Sequence, residues 1–266
     1  VDPGFSQRVD SQLQSVAVQP DGRILIGGNF NRVEDIARQG SARLAGATGA
    51  LDRTFNPNAD AFFHVGQTVL GNGNILIMGD FTRVGGSART NLALLGPTGS
   101  AVSTFNPSPN DSVLTAQVLP DGKFMIGGPF SEIGTVSRRQ LARLNANGSL
   151  DASFALAADN SVLTTALQTD GRLVLGGLFT SLGGRDRSRL ARLQANGSLD
   201  ASFAPEFDGA VFCVAVQADG KILVGGSFRS ANGSPRSQLA RLWPDGSLDT
   251  GFDVDLAGSG EGVFSI

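Results

Sequence analysis

The chain has 266 residues, of which 41% are hydrophobic and 17% charged, with a net charge of −3. This is the composition of a globular protein that can bury a core, and the charge excludes a basic field for attracting nucleic acid. A single cysteine (Cys213) and a single histidine (His64) exclude an intrachain disulfide and a Cys/His-rich metal site, and no apolar run approaches the ~20 residues of a membrane span.

In chain order, the first stretch, Val1–Phe5 (VDPGF), reads as the tail of a repeat. Later copies are Leu51–Phe55 (LDRTF), Leu150–Phe154 (LDASF), Leu199–Phe203 (LDASF) and Leu248–Phe252 (LDTGF), with Ala101–Phe105 (AVSTF) degenerate. A hairpin pattern follows at Ala17–Phe30 (AVQPDGRILIGGNF). It recurs at Val69–Phe81, Gln117–Phe130, Ala166–Phe179 and Ala215–Phe228. The closing phenylalanines, Phe30, Phe81, Phe130, Phe179 and Phe228, are 51, 49, 49 and 49 residues apart. A unit of that length cannot bury its own core, so the repeats must stack.

The fourth unit shows the plan. Strand A is expected over Val162–Gln168 and strand B over Arg172–Gly177, joined by an Asp170-Gly171 turn. A polar loop, Thr180–Ser188, leads to strand C at Leu190–Leu193, and an Asn196-Gly197 turn leads to strand D at Leu199–Phe203. Asp-Gly and Asn-Gly suit tight turns that need positive φ. Strands A and B are apolar on both faces, as in stacked sheets, and no window has helical periodicity. Four antiparallel strands per repeat predict an all-β fold, a β-propeller of five blades forming a single domain over 1–266. The termini carry redundant strands: Leu248–Phe252 repeats Val1–Phe5, and Val263–Ile266 aligns with Leu13–Val16. This predicts that overlapping terminal strands close the ring, in a monomer or, by exchange of the same strand, in a swapped oligomer.

The pattern QPDGKILVGGxF…ARLxxDGSLDxSF, carried nearly whole by Ala215–Phe228 with Gln238–Phe252, resembles the delta-60 repeat, a β-propeller repeat of bacterial secreted and surface proteins. The resemblance runs over essentially the whole chain. The second repeat departs most, with Leu94 in place of Arg and Ala101-Val102 in place of Leu-Asp. It implies a propeller and an extracellular or cell-surface location, although this chain shows no signal peptide, and it implies no defined activity.

Two arginine series stand out. Arg43, Arg143, Arg192 and Arg241 precede Asp52, Asp151, Asp200 and Asp249 by 8 residues, or 9 in the first unit. Across a tight hairpin these form structural ion pairs, and the second repeat loses both partners together, as expected for a half-buried pair. Arg38, Arg89, Arg138, Arg187 and Arg236 lie in the B–C loop, one per repeat. Their guanidinium forks make them candidate ligand-binding residues for carboxylate, phosphate or sulfate groups. The plainer reading is that each binds carbonyls of the neighbouring loop and locks blade to blade.

The turn aspartates Asp21, Asp121, Asp170 and Asp219 are single acidic residues, unlike the alternating ligands of a calcium loop, so they read as turn formers. Cys213 lies in an apolar strand and reads as an inert buried thiol, His64 as a strand-entry residue, and Trp243 as either a partly packed residue or a sugar-stacking platform. The Asn-Gly-Ser triplets at 147, 196 and 232 match a glycosylation pattern, which at the first two follows from turn chemistry. No cofactor, metal site or catalytic constellation is expected. The expected function is a non-enzymatic binding or scaffolding module for a protein or glycan ligand, met by the B–C and D–A loops. Two alternatives are a multivalent lectin-like binder of acidic glycans through the loop arginines, and a hydrolase or lyase acting at the central channel.

Overall fold

The structure, a computed structural model, describes residues 7–60, 63–254, 256 and 260–266; the N-terminal copy of the closing strand, Val1–Phe5, lies outside them. Every element among these residues is a strand. Blade 1 holds β1 (Leu13–Val18), β2 (Ile24–Gly28), β3 (Arg32–Val33), β4 (Ile36–Ala37) and β5 (Ser41–Leu44). Blade 2 holds β6 (Phe63–Val69), β7 (Ile75–Asp80), β8 (Arg83–Val84), β9 (Ser87–Ala88) and β10 (Leu92–Leu95). Blade 3 holds β11 (Thr115–Val118), β12 (Phe124–Gly127), β13 (Glu132–Ile133), β14 (Val136–Ser137) and β15 (Leu141–Leu144). Blade 4 holds β16 (Val162–Leu167), β17 (Leu173–Gly177), β18 (Ser181–Leu182), β19 (Arg185–Asp186) and β20 (Leu190–Leu193). Blade 5 holds β21 (Val211–Val216), β22 (Ile222–Gly226), β23 (Ser230–Ala231), β24 (Ser234–Pro235) and β25 (Leu239–Leu242).

Contacts gather the chain into two compact units. One comprises Val1–Leu114, Glu132–Val136 and Ala146–Leu150, with blades 1 and 2; the other comprises Thr115–Ser131, Ser137–Asn145 and Asp151–Ile266, with most of blade 3 and blades 4 and 5. In every blade three strands pair in the order A–B–C, as in β16-β17-β20. The first unit centres on Phe55, Ile75, Ile77, Phe81 and Leu95. The second has one cluster around Phe154, Leu175 and Phe179 and another around Phe203, Val224 and Phe228. The largest fully buried side chains include the phenylalanines that close the B strands, Phe30, Phe81, Phe130, Phe179 and Phe228, and three that follow D turns, Phe55, Phe105 and Phe203.

The fourth strand, D, is short. The expected D strand shrinks to one bridge, Leu44↔Leu51, Leu95↔Ala101, Leu193↔Leu199 or Leu242↔Leu248. The physical reason is a backbone turn common to all five repeats, in which the N–H of Phe55, Phe105, Phe154, Phe203 and Phe252 donates to the carbonyl three residues back; in four of the five an aspartate braces it. Oδ1 of Asp52, Asp151, Asp200 and Asp249 accepts the backbone N–H two residues on, at 2.9, 3.0, 3.1 and 3.1 Å. Such Asx bonds brace the bend at which the chain leaves the ladder, and the second repeat bends there with Val102. A two-residue hairpin inside the B–C loop, such as β18–β19, is an element the sequence does not announce.

The Gly-Gly step at the end of strand B has two distinct jobs. A Cβ on the first glycine would lie 2.8 Å from Val162 at Gly127 and 2.5 Å from Val211 at Gly176, so this position admits the A strand of the following blade. A Cβ on the second would lie 2.2 Å from the Ser161 carbonyl oxygen at Gly177 and 1.9 Å from that of Ala210 at Gly226. There the blade's own A strand bulges, between Val162 and Thr164 and between Val211 and Cys213.

Candidate functional site

The strand C arginines organise the blade junctions. Nε of Arg43, Arg143, Arg192 and Arg241 donates to Asp52, Asp151, Asp200 and Asp249 at 2.9, 2.8, 2.9 and 2.8 Å. Each guanidinium also covers the ring of Phe55, Phe154, Phe203 or Phe252, at 4.7, 5.1, 4.2 and 4.5 Å from the centroid. Three reach beyond their own blade. Arg43 donates to the Pro97 carbonyl at 2.7 Å, Arg143 to that of Asn196 at 3.3 Å, and Arg192 to that of Pro244. Each thus ties its hairpin to the C–D turn of the next blade. In the second repeat Leu94 is buried where the arginine would stand.

These contacts control the carboxylates. Burial by itself would raise the Asp52 pKa, but hydrogen bonds from Thr54 and Arg43 outweigh it and hold the group at about 2. The hydrogen bond from Lys123, at 2.8 Å, is the main influence that lowers Asp151, with Ser153 next and burial opposing. For Asp200, burial again acts upward and is overcome by Ser202 and Arg192.

The loop arginines are placed differently. Arg38, Arg89, Arg187 and Arg236 are buried and Arg138 half-buried. Nη1 of each donates to the carbonyl of the preceding residue: Ala37, Ala88, Ser137, Asp186 and Pro235, at 2.8, 2.7, 2.8, 2.6 and 2.7 Å. Nη2 reaches Arg53 from Arg38, Val102 and Ser103 from Arg89, and Asp200 and Ala201 from Arg187. These partners lie in the arginine's own blade, so the side chain clamps the B–C loop to the turn after strand C. Arg236 instead lies 3.6 Å from the exposed Asp253.

A third series escapes motif reading. Asp10, Asp60, Asn110, Asp159 and Asp208 precede each A strand and accept backbone N–H groups at the start of the B–C hairpin. Asp159, for instance, accepts from Thr180 and Ser181 N–H, each at 2.9 Å, and from the Thr180 hydroxyl at 2.6 Å. Burial acts to raise Asp60, Asp159 and Asp208, yet these bonds leave all three lowered. The signal is an Asp or Asn at a step of 49–50 residues, set in segments otherwise unlike one another.

The turn aspartates Asp21, Asp121, Asp170 and Asp219 accept the N–H two residues on. Burial pushes the Cys213 thiol up to about 11. Trp243 is exposed, with the Lys221 ammonium 4.1 Å from its ring centroid.

Loop segments meet in a groove at the junction of blades 3 and 4. It has a volume of about 620 Å³ and is lined by Ser153–Ala157 after blade 3, the hairpin turn Gly183-Gly184, the C–D turn Asn196–Ser198, and Arg143. A groove of about 390 Å³ occupies the equivalent place one repeat later, lined by Ser202, Ala204, Pro205, Glu206, Asn232, Asp245, Gly246 and Ser247. The D–A and B–C loops do converge here, and a C–D turn joins them. The second groove is smaller partly because Asn232 replaces Gly183. The Asn232 side chain accepts from Glu206 N–H at 2.8 Å and donates to the Gly246 carbonyl at 3.1 Å, bridging the floor.

Residues 19–55, 70–105, 119–154, 168–203 and 217–252 match a family described as a domain of unknown function (DUF5122) beta-propeller. No curated protein matches the chain. Among solved structures it resembles the WD40 β-propeller domain of Doa1, at 14% identity and a TM-score of 0.58, over 95% of this chain and 71% of that one. Virginiamycin B lyase from Staphylococcus aureus is similar at 9% identity and a TM-score of 0.52, over 96% and 79% of the two chains. A protein of unknown function from Bacteroides caccae is similar at 14% identity and a TM-score of 0.52, over 90% and 80%. At these identities the likeness shows the fold alone.

Proposed function

Because the chain belongs to the DUF5122 β-propeller family, a rigid frame carrying variable loops, we propose that it is a non-enzymatic binding module, secreted or displayed at the cell surface. Its ligand is a protein or glycan segment received by the grooves at successive blade junctions. The observation that carries this reading is the recurrence of one groove at a one-repeat step with a changed lining: Leu156, Ala157 and Gly183 become Pro205, Glu206 and Asn232. A fixed frame with altered surface residues is how recognition sites diverge.

The groove chemistry favours an uncharged or basic ligand. Ser153, Asn196 and Ser198 offer hydroxyl and amide groups in the first groove, and Glu206 and Asp245 add carboxylates in the second. The two arginine series direct donors to aspartates and backbone carbonyls, which leaves the acidic-glycan reading less to draw on. The same holds for a hydrolase or lyase: the repeated carboxylates at 151, 159, 200 and 208 serve turns and hairpins. No helix among the described residues is long and apolar enough to cross a membrane.

The test is binding to glycan and peptide arrays by the parent and by Gly183→Asn, Ala157→Glu, which brings two of the second groove's residues, Asn232 and Glu206, to their equivalent places in the first. The expected outcome is an unchanged melting temperature and at least a tenfold loss of a specific binder, about 1.4 kcal/mol. A binder indifferent to both substitutions, or turnover of an arrayed glycan or ester, overturns the reading.

A further inference from the structure

We propose that the groove at the junction of blades 3 and 4 is a site for an N-acetylated hexosamine, held by its acetamido arm. This rests on the binding-module reading and names the ligand class of the first groove. Every residue that lines this groove belongs to the second compact unit. Its volume of about 620 Å³ falls within the range of small-molecule sites. The floor offers hydrogen-bond donors. Arg143 lines the groove, and its bonds to Asp151, Asn196 and Ser153 engage three of the five N–H groups of a guanidinium. The two Nη bonds are long, 3.3 Å to the Asn196 carbonyl and 3.2 Å to Ser153 Oγ, so they yield readily to a better acceptor. Arg192, one repeat later, has Nε and Nη2 at 2.9 and 2.8 Å from Asp200 and Nη1 on the Pro244 carbonyl, and it does not line the second groove.

The serine hydroxyls of the groove are already committed as donors. Ser153 Oγ donates to Asp151 Oδ1 at 2.6 Å, and Ser198 Oγ donates to Asn196 Oδ1 at 2.8 Å. The Ser198 N–H reaches the same Asn196 oxygen at 2.9 Å, which fixes that amide and leaves its Nδ2 as the end that a ligand meets. Arg143 and Asn196 thus call for an acceptor, and the strongest neutral acceptor on a sugar is an amide carbonyl. Beside them stands an apolar wall of Ala155, Leu156 and Ala157. Leu156 Cδ2 lies 2.5 Å from where a Cβ on Gly183 would be, so the glycine makes room for that side chain. An acetamido group carries a carbonyl oxygen and a methyl side by side, whereas a carboxylate carries oxygens and no methyl. The second groove breaks this wall, with Glu206 in place of Ala157 and Asn232 across the floor. Apart from Arg143 the lining residues lie in turns and loops, with no open strand edge for the main chain of an extended peptide.

The experiment is titration calorimetry with tri-N-acetylchitotriose, N-acetylgalactosamine, cellotriose and trigalacturonate. Cellotriose differs from the first probe only in bearing hydroxyls where it has acetamido groups, and trigalacturonate brings carboxylates. The proteins are the parent, Arg143→Leu with Asp151→Val, and Leu156→Ser. The parent is expected to bind an N-acetylated probe at one site, and cellotriose and trigalacturonate at least about tenfold more weakly, because donors without an acceptor lose their hydration uncompensated. The double variant copies the second repeat, with Leu94 and Val102, and is expected to keep its melting temperature and to bind the N-acetylated probe at least about tenfold more weakly. Should it not fold, Leu156→Ser carries the test: it is expected to weaken the N-acetylated probe and to leave cellotriose unchanged. Cellotriose or trigalacturonate bound as well as the N-acetylated probes, or variants that bind like the parent, overturns the acetamido site and leaves the groove reading in place. So does a parent that binds neither N-acetylated probe but binds an arrayed ligand that Gly183→Asn, Ala157→Glu weakens. A parent that binds none of the probes and nothing on the arrays overturns both.

Discussion

Arg192 and Asp200 each have side chains 3% exposed and lie 2.8 Å apart, so neither charge has water as a substitute partner. Removing one leaves the other buried and unpaired, which costs about 3 kcal/mol or more; replacing both by apolar groups need not. Arg192→Leu is therefore expected to lower stability in urea denaturation by about 3 kcal/mol, and Arg192→Leu with Asp200→Val to recover most of it. The second repeat, with Leu94 and Val102, is the natural form of that double change. A double variant no more stable than the single one would show that the arginine's bond to Pro244, not its charge pairing, dominates.

At the scale of the strand, the glycine step predicts unequal tolerance within one blade. Gly177→Ala drives a methyl to 2.2 Å from the Ser161 carbonyl oxygen, so the bulge itself must shift. A loss of about 2–3 kcal/mol is expected from such overpacking against backbone. Gly184 has a φ of +73° and nothing within 4 Å of its Cβ position. Gly184→Asn is expected to change stability by no more than about 0.5 kcal/mol, because asparagine tolerates the left-handed region and the site is exposed. Thermal melts of the two variants beside the parent check the contrast.

Across the molecule, the recurring carboxylates predict the response to acid. Asp52 sits at about 2 and Asp60, Asp151, Asp159, Asp200 and Asp208 are lowered, so each binds a proton less readily when folded than when unfolded. Their contribution to stability is fully present above the unfolded value of about 4 and is lost as pH falls through the folded values. Melting temperature is expected to be level near neutrality and to fall steeply between pH ~4 and 2, with Asp52→Asn flattening part of that fall. A profile that falls already between pH 7 and 5 would place the acid sensitivity in other groups.

The propeller class, the five repeats and the strand A–B hairpins were legible in the sequence, because the period, the Asp-Gly turns and the short continuous apolar runs are local signals readable without a partner. The sequence also supplied the pairing of Arg143 with Asp151 and its counterparts, through the joint loss at Leu94 and Val102. Which arginines join blades became visible in the folded chain. The strand C arginines reach the next blade's turn carbonyls and the loop arginines stay within their own, since a backbone carbonyl leaves no mark in side-chain identity. The shortened D strand was hidden because the turn that ends it, from the carbonyls of Asp52, Val102, Asp151, Asp200 and Asp249 to the N–H three residues on, is a backbone bond within a stretch that reads as a strand. The grooves were hidden because Leu156, Gly183 and Asn196, far apart in sequence, meet only once two blades are stacked.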